Sequence, residues 1–249
     1  MIEFIPNPNL PDFKVASVIC ASKDEDILNY FIGVDIRVIT CKENLKVDPS
    51  IKSHTDIIAL HTGGNNIIID AEQIQLKEEL EKSGMNVTLT EKSVSGSYPD
   101  DVKLNFAVMG NNIIGCFRYA DESVTENFIN HNKINVKQGY AKCSVLIVSE
   151  NAAITDDLSI YRSLSENGFD CLLITKGDVL LQGHEYGFIG GASGKISKDK
   201  ILFVGDITKH RDFEEIERFI CKHGCRYVCT DSKALRDIGG FITLCQSES

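Results

Sequence analysis

The string Gly64-Asn65-Asn66-Ile67-Ile68 returns unchanged at Gly110-Asn111-Asn112-Ile113-Ile114, 46 residues further along the chain. Repetition at this period constrains the fold more than any other feature. Each repeat is then one supersecondary unit that must bury its apolar face against its neighbours. Upstream of each string lies a second recurring pattern. Lys82–Thr90 reads as the end of a helix, a glycine stop at Gly84, and a short strand. Glycine serves there because the left-handed turn after a helix carries no Cβ penalty for it. Similar stretches begin at Gly33, Gly168 and Gly224, and a fifth at Asn132, where asparagine takes the glycine position. Asparagine is the next-best residue for that backbone.

The spacing predicts short helices over 23–32, 71–83, 121–131, 156–167 and 211–223. It predicts hairpins over His54–Asp70, Asp101–Cys116, Tyr140–Thr155 and Glu185–Gly205. Their turns carry Gly-Asn-Asn, Gly-Asn-Asn, Glu-Asn and Lys-Asp-Lys, all residues suited to tight turns. The fifth hairpin looks cut. Gly240–Cys245 supplies one strand, and Phe13–Cys20 at the other terminus supplies a partner. Pairing them removes an open sheet edge. The expected fold class is therefore α/β: a closed, five-fold pseudosymmetric α/β propeller of helix–strand–hairpin units, one domain over residues 1–249. A doubly wound sheet would not need two extra strands after every helix–strand pair, and a solenoid would need polar capping repeats.

With 43% hydrophobic residues, a chain of 249 can bury a sizeable core. The net charge of −10 argues against nucleic acid or an anionic membrane as partner. It is compatible with a small cationic ligand. No apolar run approaches the roughly 18 residues of a membrane span, and the start, MIEFIPNPNLPDF, lacks the pattern of a signal peptide. Nine cysteines without framework spacing predict free thiols and a cytoplasmic location.

Five such units closed by terminal strands resemble the pentein superfamily, the guanidino-group modifying enzyme fold. Dimethylarginine dimethylaminohydrolase and agmatine deiminase are distant relatives in it. The resemblance implies a polar channel on the axis. It also implies a nucleophilic cysteine near the C-terminus, a histidine in a middle unit that relays protons, and carboxylates that grip a planar cation. That chemistry is coherent. A bound cation lowers a thiol pKa, and carboxylates match guanidinium in bidentate geometry.

Carried over residue by residue, Cys245 stands at the position of the nucleophile, after Gly239-Gly240. Asp56 begins the first hairpin, where a substrate-gripping aspartate is expected, with His54 beside it. Asp101 begins the second hairpin and is a further candidate for the cation, or a solvated turn residue. At the start of the third hairpin the resemblance would put the histidine, but Tyr140 stands there. With a pKa near 10, tyrosine is a poor proton shuttle at neutral pH. His184, oriented by Glu185 at the start of the fourth hairpin, is the substitute proton donor. Two readings follow. The first is a protein that binds a small cationic, guanidino-type ligand or partner in an axial channel, without complete hydrolase machinery. The alternative is a cysteine-dependent amidinohydrolase, deiminase or amidinotransferase using Cys245.

No cofactor and no metal ion is expected. Gly190–Lys195 lacks the spacing of a phosphate loop. Cys221, Cys225 and Cys229 cross from a helix end into a strand and form no metal-ligand pattern. Exposed hairpin edges on one face make a homodimer an expectation.

Overall fold

The computed structural model describes residues 1–248. Among the described residues, five of the six sheets share one plan. The first contains Ile2–Phe4, Ile242–Ser247, Lys14–Ile19 and Arg37–Ile39, in that order. The second contains Ala59–Gly63, Asn66–Ile69 and Asn86–Leu89, and the third Ala107–Met109, Asn112–Gly115 and Asn132–Asn135. The fourth contains Val145–Ser149, Ala152–Thr155 and Asp170–Leu173, and the fifth Ser193–Ser197, Lys200–Phe203 and Arg226–Cys229. In sheets two to five the first two strands form an antiparallel hairpin, and the third runs parallel to the second. The first sheet repeats the plan with a partner from the far end of the chain. Ile242–Ser247 pairs antiparallel with Lys14–Ile19, which pairs parallel with Arg37–Ile39. A short parallel ladder, Val179–Leu180 with Leu235–Arg236, lies outside this scheme.

A helix bridges each parallel pair, because parallel strands need a crossover. The five are Glu25–Gly33, Ile74–Lys82, Glu122–Asn127, Leu158–Glu166 and Phe213–Lys222. Each overlaps its predicted span. Three begin on an aspartate, Asp24, Asp121 or Asp157, whose carboxylate accepts the otherwise free N–H groups of the first turn. Three end as predicted on a glycine with positive φ: Gly84, Gly168 and Gly224.

The first and third units differ from expectation. Gly33 closes its helix with ordinary backbone, and Asp35 takes the left-handed turn at φ 58°. Asn132 is a strand residue, not a glycine substitute. Its true counterpart is Asn86. The Asn86 amide donates to Asn66 Oδ1 at 3.2 Å, and the Asn132 amide donates to Asn112 Oδ1 at 3.2 Å. Asn66 and Asn112 in turn donate to the carbonyls of Gly63 and Met109, both at 3.2 Å. The repeat thus extends through the side-chain hydrogen bonds around each Gly-Asn-Asn turn.

The hairpin strands, the first (inner) and second (middle) of each sheet, carry much of the core, although some inner strands also bury polar residues such as His61 and Lys195. Val145–Val148 is buried throughout, and the middle strands contribute Ile67–Ile69, Ile113–Ile114 and Ile201–Phe203 to the core. Each such side chain contributes about 1.5–3 kcal/mol on burial. The core therefore fixes the inner strands, and with them the segments that lead into those strands. Among the described residues, no helix is long and apolar enough to cross a membrane.

Candidate functional site

Five lead-in segments are knitted together by hydrogen bonds from one unit to the next. The one-turn helix Thr55–Ile58 opens the second sheet. Its Thr55 hydroxyl donates to the Gly240 carbonyl at 3.1 Å, and the Asp56 N–H donates to the Gly239 carbonyl at 3.2 Å. Asn105, ahead of the third sheet, accepts from the N–H groups of Lys142 and Cys143 at 2.7 and 3.3 Å. These belong to the one-turn helix Ala141–Ser144 that opens the fourth sheet. Gly191, ahead of the fifth sheet, donates to the Cys143 carbonyl at 2.9 Å and accepts from Gly240 at 2.8 Å.

Above this hub opens a cleft of about 450 Å³. Its floor holds His54, Cys143 and Asp237, with Asp56 beneath. The Cys143 thiol donates to Asp56 Oδ2 at 2.7 Å. That is the length of an oxygen–oxygen hydrogen bond, so the larger sulfur is pressed against the carboxylate. The potential ligand atoms of His54, Asp56 and Cys143 all lie within 4.8 Å of one another. Asp237 Oδ1 stands 3.9 Å from His54 Nδ1. Asp237 itself is pinned by the N–H groups of Phe188 and Gly239, both at 2.9 Å.

Glycines make this crowding feasible. A Cβ on Gly191 would lie 1.9 Å from Asp237 Oδ1. One on Gly239 would lie 2.3 Å from the His54 Cβ, and Gly239 also needs φ +69°. Only glycine combines that backbone with that approach.

The walls are aromatic and acidic. Tyr98, Tyr140, Phe188 and Tyr186 form a chain of rings at centroid distances of 5.9, 6.5 and 6.1 Å. Asp48, Asp101 and Glu185 add carboxylates to that of Asp237, and no lysine or arginine lines the cleft among the described residues. The Tyr140 hydroxyl donates to Asp101 Oδ2 at 2.7 Å, leaving Asp101 Oδ1 buried without a partner. Burial pushes the Asp101 carboxyl above the usual carboxylate range and outweighs that hydrogen bond. Burial also raises Asp56. The Cys143 thiol is held well above its ordinary value, by burial first and by the Asp56 charge second. Without a cation in the site, sulfur keeps its proton.

The structure brings together most of the residues singled out from the sequence, but at two depths. His54 and Asp56 are on or under the floor, and Asp101 and Tyr140 are in the wall. His184 and Glu185 reach only the mouth. His184 Nε2 is 2.8 Å from the Ser50 hydroxyl, and its side chain is 47% exposed. The physical reason is the length of the fourth connection. The inner strand there starts at Ser193, not near Glu185, so Phe188–Gly191 occupies the hub.

Cys245 lies elsewhere. It sits on the terminal strand, paired with Phe4 on one side and Ser17 on the other, and it does not line the cleft. The thiol in the site is Cys143. It follows directly on the Tyr140-Ala141-Lys142 run, and that adjacency was the signal available. Asp237 was also missed, two residues before the Gly239-Gly240 pair that drew attention to Cys245.

The sequence matches one family model over residues 18–242. The chain belongs to DUF6873, a family of unknown function. No curated protein matches the sequence. Solved structures do. The inosamine-phosphate amidinotransferase of Streptomyces griseus superposes with a TM-score of 0.63 at 10% identity, over 99% of this chain and 98% of that one. The agmatine deiminase of C. jejuni gives 0.55 at 12%, over 93% and 91%. DDAH from Pseudomonas aeruginosa, a dimethylarginine dimethylaminohydrolase, gives 0.54 at 12%, over 88% and 93%. At such identities the likeness establishes the fold. This family member has the mixed α/β fold of the pentein superfamily.

Proposed function

We propose that the protein binds a small cationic ligand of the guanidino or amidino type in the cleft, at the hub of a closed five-unit ring. The ring is supported by the common strand order of the five sheets and by the pairing of Ile242–Ser247 with Lys14–Ile19. One observation carries the ligand class. Asp101 and Asp237, with Asp48 and Glu185 at the mouth, line a cleft walled by four aromatic rings, and no lysine or arginine is among its lining residues. The one cation over those rings among the described residues is Lys176, whose Nζ is 5.5 Å from the Tyr186 centroid. A planar cation fits both features. It stacks on ring faces and takes paired hydrogen bonds from carboxylates. Bound there, it would also neutralise charge that is otherwise buried at a cost.

The test is a thermal-shift and calorimetric series with agmatine, arginine and guanidinium, alongside citrate as an anionic control. A guanidino compound should raise Tm by mass action, and Asp101→Asn should weaken its binding about tenfold, the loss of one charge-assisted contact. Stabilisation by the anion and by none of the cations would overturn the reading.

A second reading has its own observation, the packing of a thiol, an imidazole and carboxylates on the floor. Here the Cys143 sulfur forms a bond to the amidino carbon, and the amine leaves with a proton from His54. Water then cleaves the carbon–sulfur bond and returns the thiol. Because burial and Asp56 oppose ionisation, the thiolate would form only with the cation bound. Incubation with amidino substrates and mass spectrometry of the protein should then detect an adduct on Cys143 that is absent from Cys143→Ser. An adduct found on another cysteine, or none in the presence of turnover, would remove this reading.

A further inference from the structure

The floor of the cleft has a feature that neither a cationic ligand nor a nucleophilic thiol requires. His54 and Asp56 are each 3% exposed, and His54 Nδ1 and Asp56 Oδ1 have no hydrogen-bond partner. A buried polar atom without a partner costs about 1–3 kcal/mol, and two in one cluster of side chains call for an explanation. Their neighbour is the Cys143 sulfur, held 2.7 Å from Asp56. One imidazole nitrogen, one carboxylate oxygen and one sulfur thus lie within 4.8 Å of one another.

We propose that His54, Asp56 and Cys143 form a binding site for a single transition-metal ion, with Zn2+ as the best match. The donor set is mixed nitrogen, oxygen and sulfur, which suits a borderline-soft ion and excludes magnesium and calcium. Bond lengths of roughly 2.0–2.3 Å place the ligand atoms of a tetrahedral zinc site about 3.5 Å apart. The sulfur and the carboxylate oxygen would have to separate by under about 1 Å to reach that spacing.

Charge also balances. A thiolate, a carboxylate and a neutral imidazole sum to −2, so a divalent ion makes the buried group neutral. Removing that buried charge is stabilising. Three protein ligands leave a fourth position, and both His54 and Cys143 line the open cleft. Sites with three protein ligands and an open position bind water or a small ligand at the metal. Asn105 steadies the sulfur, donating from Nδ2 at 3.7 Å, and the Cys143 N–H, accepting it on Oδ1.

Purified protein stripped with a chelator is titrated with Co2+, then with Zn2+ as competitor. The expected result is one equivalent of bound cobalt, tetrahedral ligand-field bands in the visible, and a thiolate-to-cobalt charge-transfer band in the near ultraviolet. Zn2+ should abolish both signals. Cys143→Ser should lose the charge-transfer band, and Asp56→Asn and His54→Gln should each weaken binding at least tenfold. Cys221→Ser, which changes an exposed thiol, should match wild type. Circular dichroism shows which variants fold, and any one of the three ligand variants that folds suffices. Two results would overturn the site: no stoichiometric cobalt binding, or a charge-transfer band that survives Cys143→Ser. Neither readout depends on a guanidino ligand, so the metal site and the ligand class can fail separately.

Discussion

Arg236 and Asp237 are consecutive residues that face two acidic clusters of opposite character. Arg236 points away from the cleft into Asp24, Asp26 and Asp231. Its Nε donates to Asp24 Oδ2 at 2.6 Å, and its Nη2 donates to Asp24, Asp26 and Asp231 at 3.1, 3.1 and 2.8 Å. Those carboxylates have a cation, and in Asp24 and Asp231 hydrogen bonds outweigh burial and hold the pKa low. Asp237 points inward, to a cluster that contains an imidazole and a thiol but no lysine or arginine among the cleft-lining residues. There the pKa values of Asp56 and Cys143 go up, burial first. A group of acids whose donors are all present is an internal strut. A group left short of donors is a socket. Perturbed groups in a cleft mark functional candidates for this reason.

The largest expected effect breaks the socket through its backbone. Gly239→Ala places a Cβ 2.3 Å from the His54 Cβ and demands φ +69° of an ordinary residue. Overpacking and left-handed strain together should cost about 3–4 kcal/mol, read as a fall in the urea midpoint. Gly33→Ala is the control, because nothing lies within 4 Å of its Cβ and its φ is ordinary. That change should leave stability unchanged or raise it by up to about 1 kcal/mol.

Next comes the strut. Arg236→Ala leaves the half-buried Asp24 and Asp231 without a cation, while Asp26 keeps Lys233, and should destabilise by about 2–3 kcal/mol. The loss should shrink in high salt, which screens the repulsion left behind. A loss that is independent of salt would mean the arginine acts by packing alone.

The same contrast recurs in another adjacent pair. Asp157 caps the helix Leu158–Glu166. Burial raises its pKa, but the Ser159 hydroxyl and the N–H groups of Ser159 and Ile160 outweigh burial and hold it below the usual range. Asp156 has a buried Oδ1 without a partner and is pushed up to about 6, chiefly by burial. A folded pKa above the unfolded one means the native state binds the extra proton. Stability should therefore fall as pH rises from about 4 to 6, and level off above that. Asp156→Asn should stabilise the protein at pH 8 by about 2 kcal/mol and change little at pH 4, as measured by paired denaturant titrations.

The architecture was legible because it rests on local, repeated signals. Gly84, Gly168 and Gly224 are needed wherever a helix must turn left-handed into a strand, and Gly-Asn-Asn turns recur with their flanking isoleucines. Where a different residue solved the same local problem, as Asp35 did in place of Gly33, the reading slipped by two residues. The site was legible only in part. His54 and Asp56 could be found because they open a hairpin. Cys143 had one local signal among nine cysteines, its place directly after the Tyr140-Ala141-Lys142 run, and what confirms it is contact with Asp56, 87 residues away. Cys245 drew attention by its place near the C-terminus, yet an edge-to-edge pairing with Phe4 and Ser17 is a tertiary fact that no local pattern carries. His184, read from the sequence as a proton donor, stands at the mouth of the cleft and not on its floor, because the depth of a loop depends on where its strand begins.

The smallest effect on stability has the opposite sign to the strut and separates the two clusters most sharply. Asp56→Asn removes a carboxylate whose burial outweighs the opposing effects of His54, the Cys143 thiol and Lys142, while an amide oxygen can still accept the Cys143 proton. The unliganded variant should be as stable as wild type or more so, by up to about 1 kcal/mol, because a neutral amide is cheaper to bury than an ion. The thermal stabilisation conferred by added Zn2+ should be lost in the same variant. Residues kept at a cost to stability are expected where activity needs them. A destabilised Asp56→Asn whose response to Zn2+ is intact would instead make Asp56 a strut like Asp24.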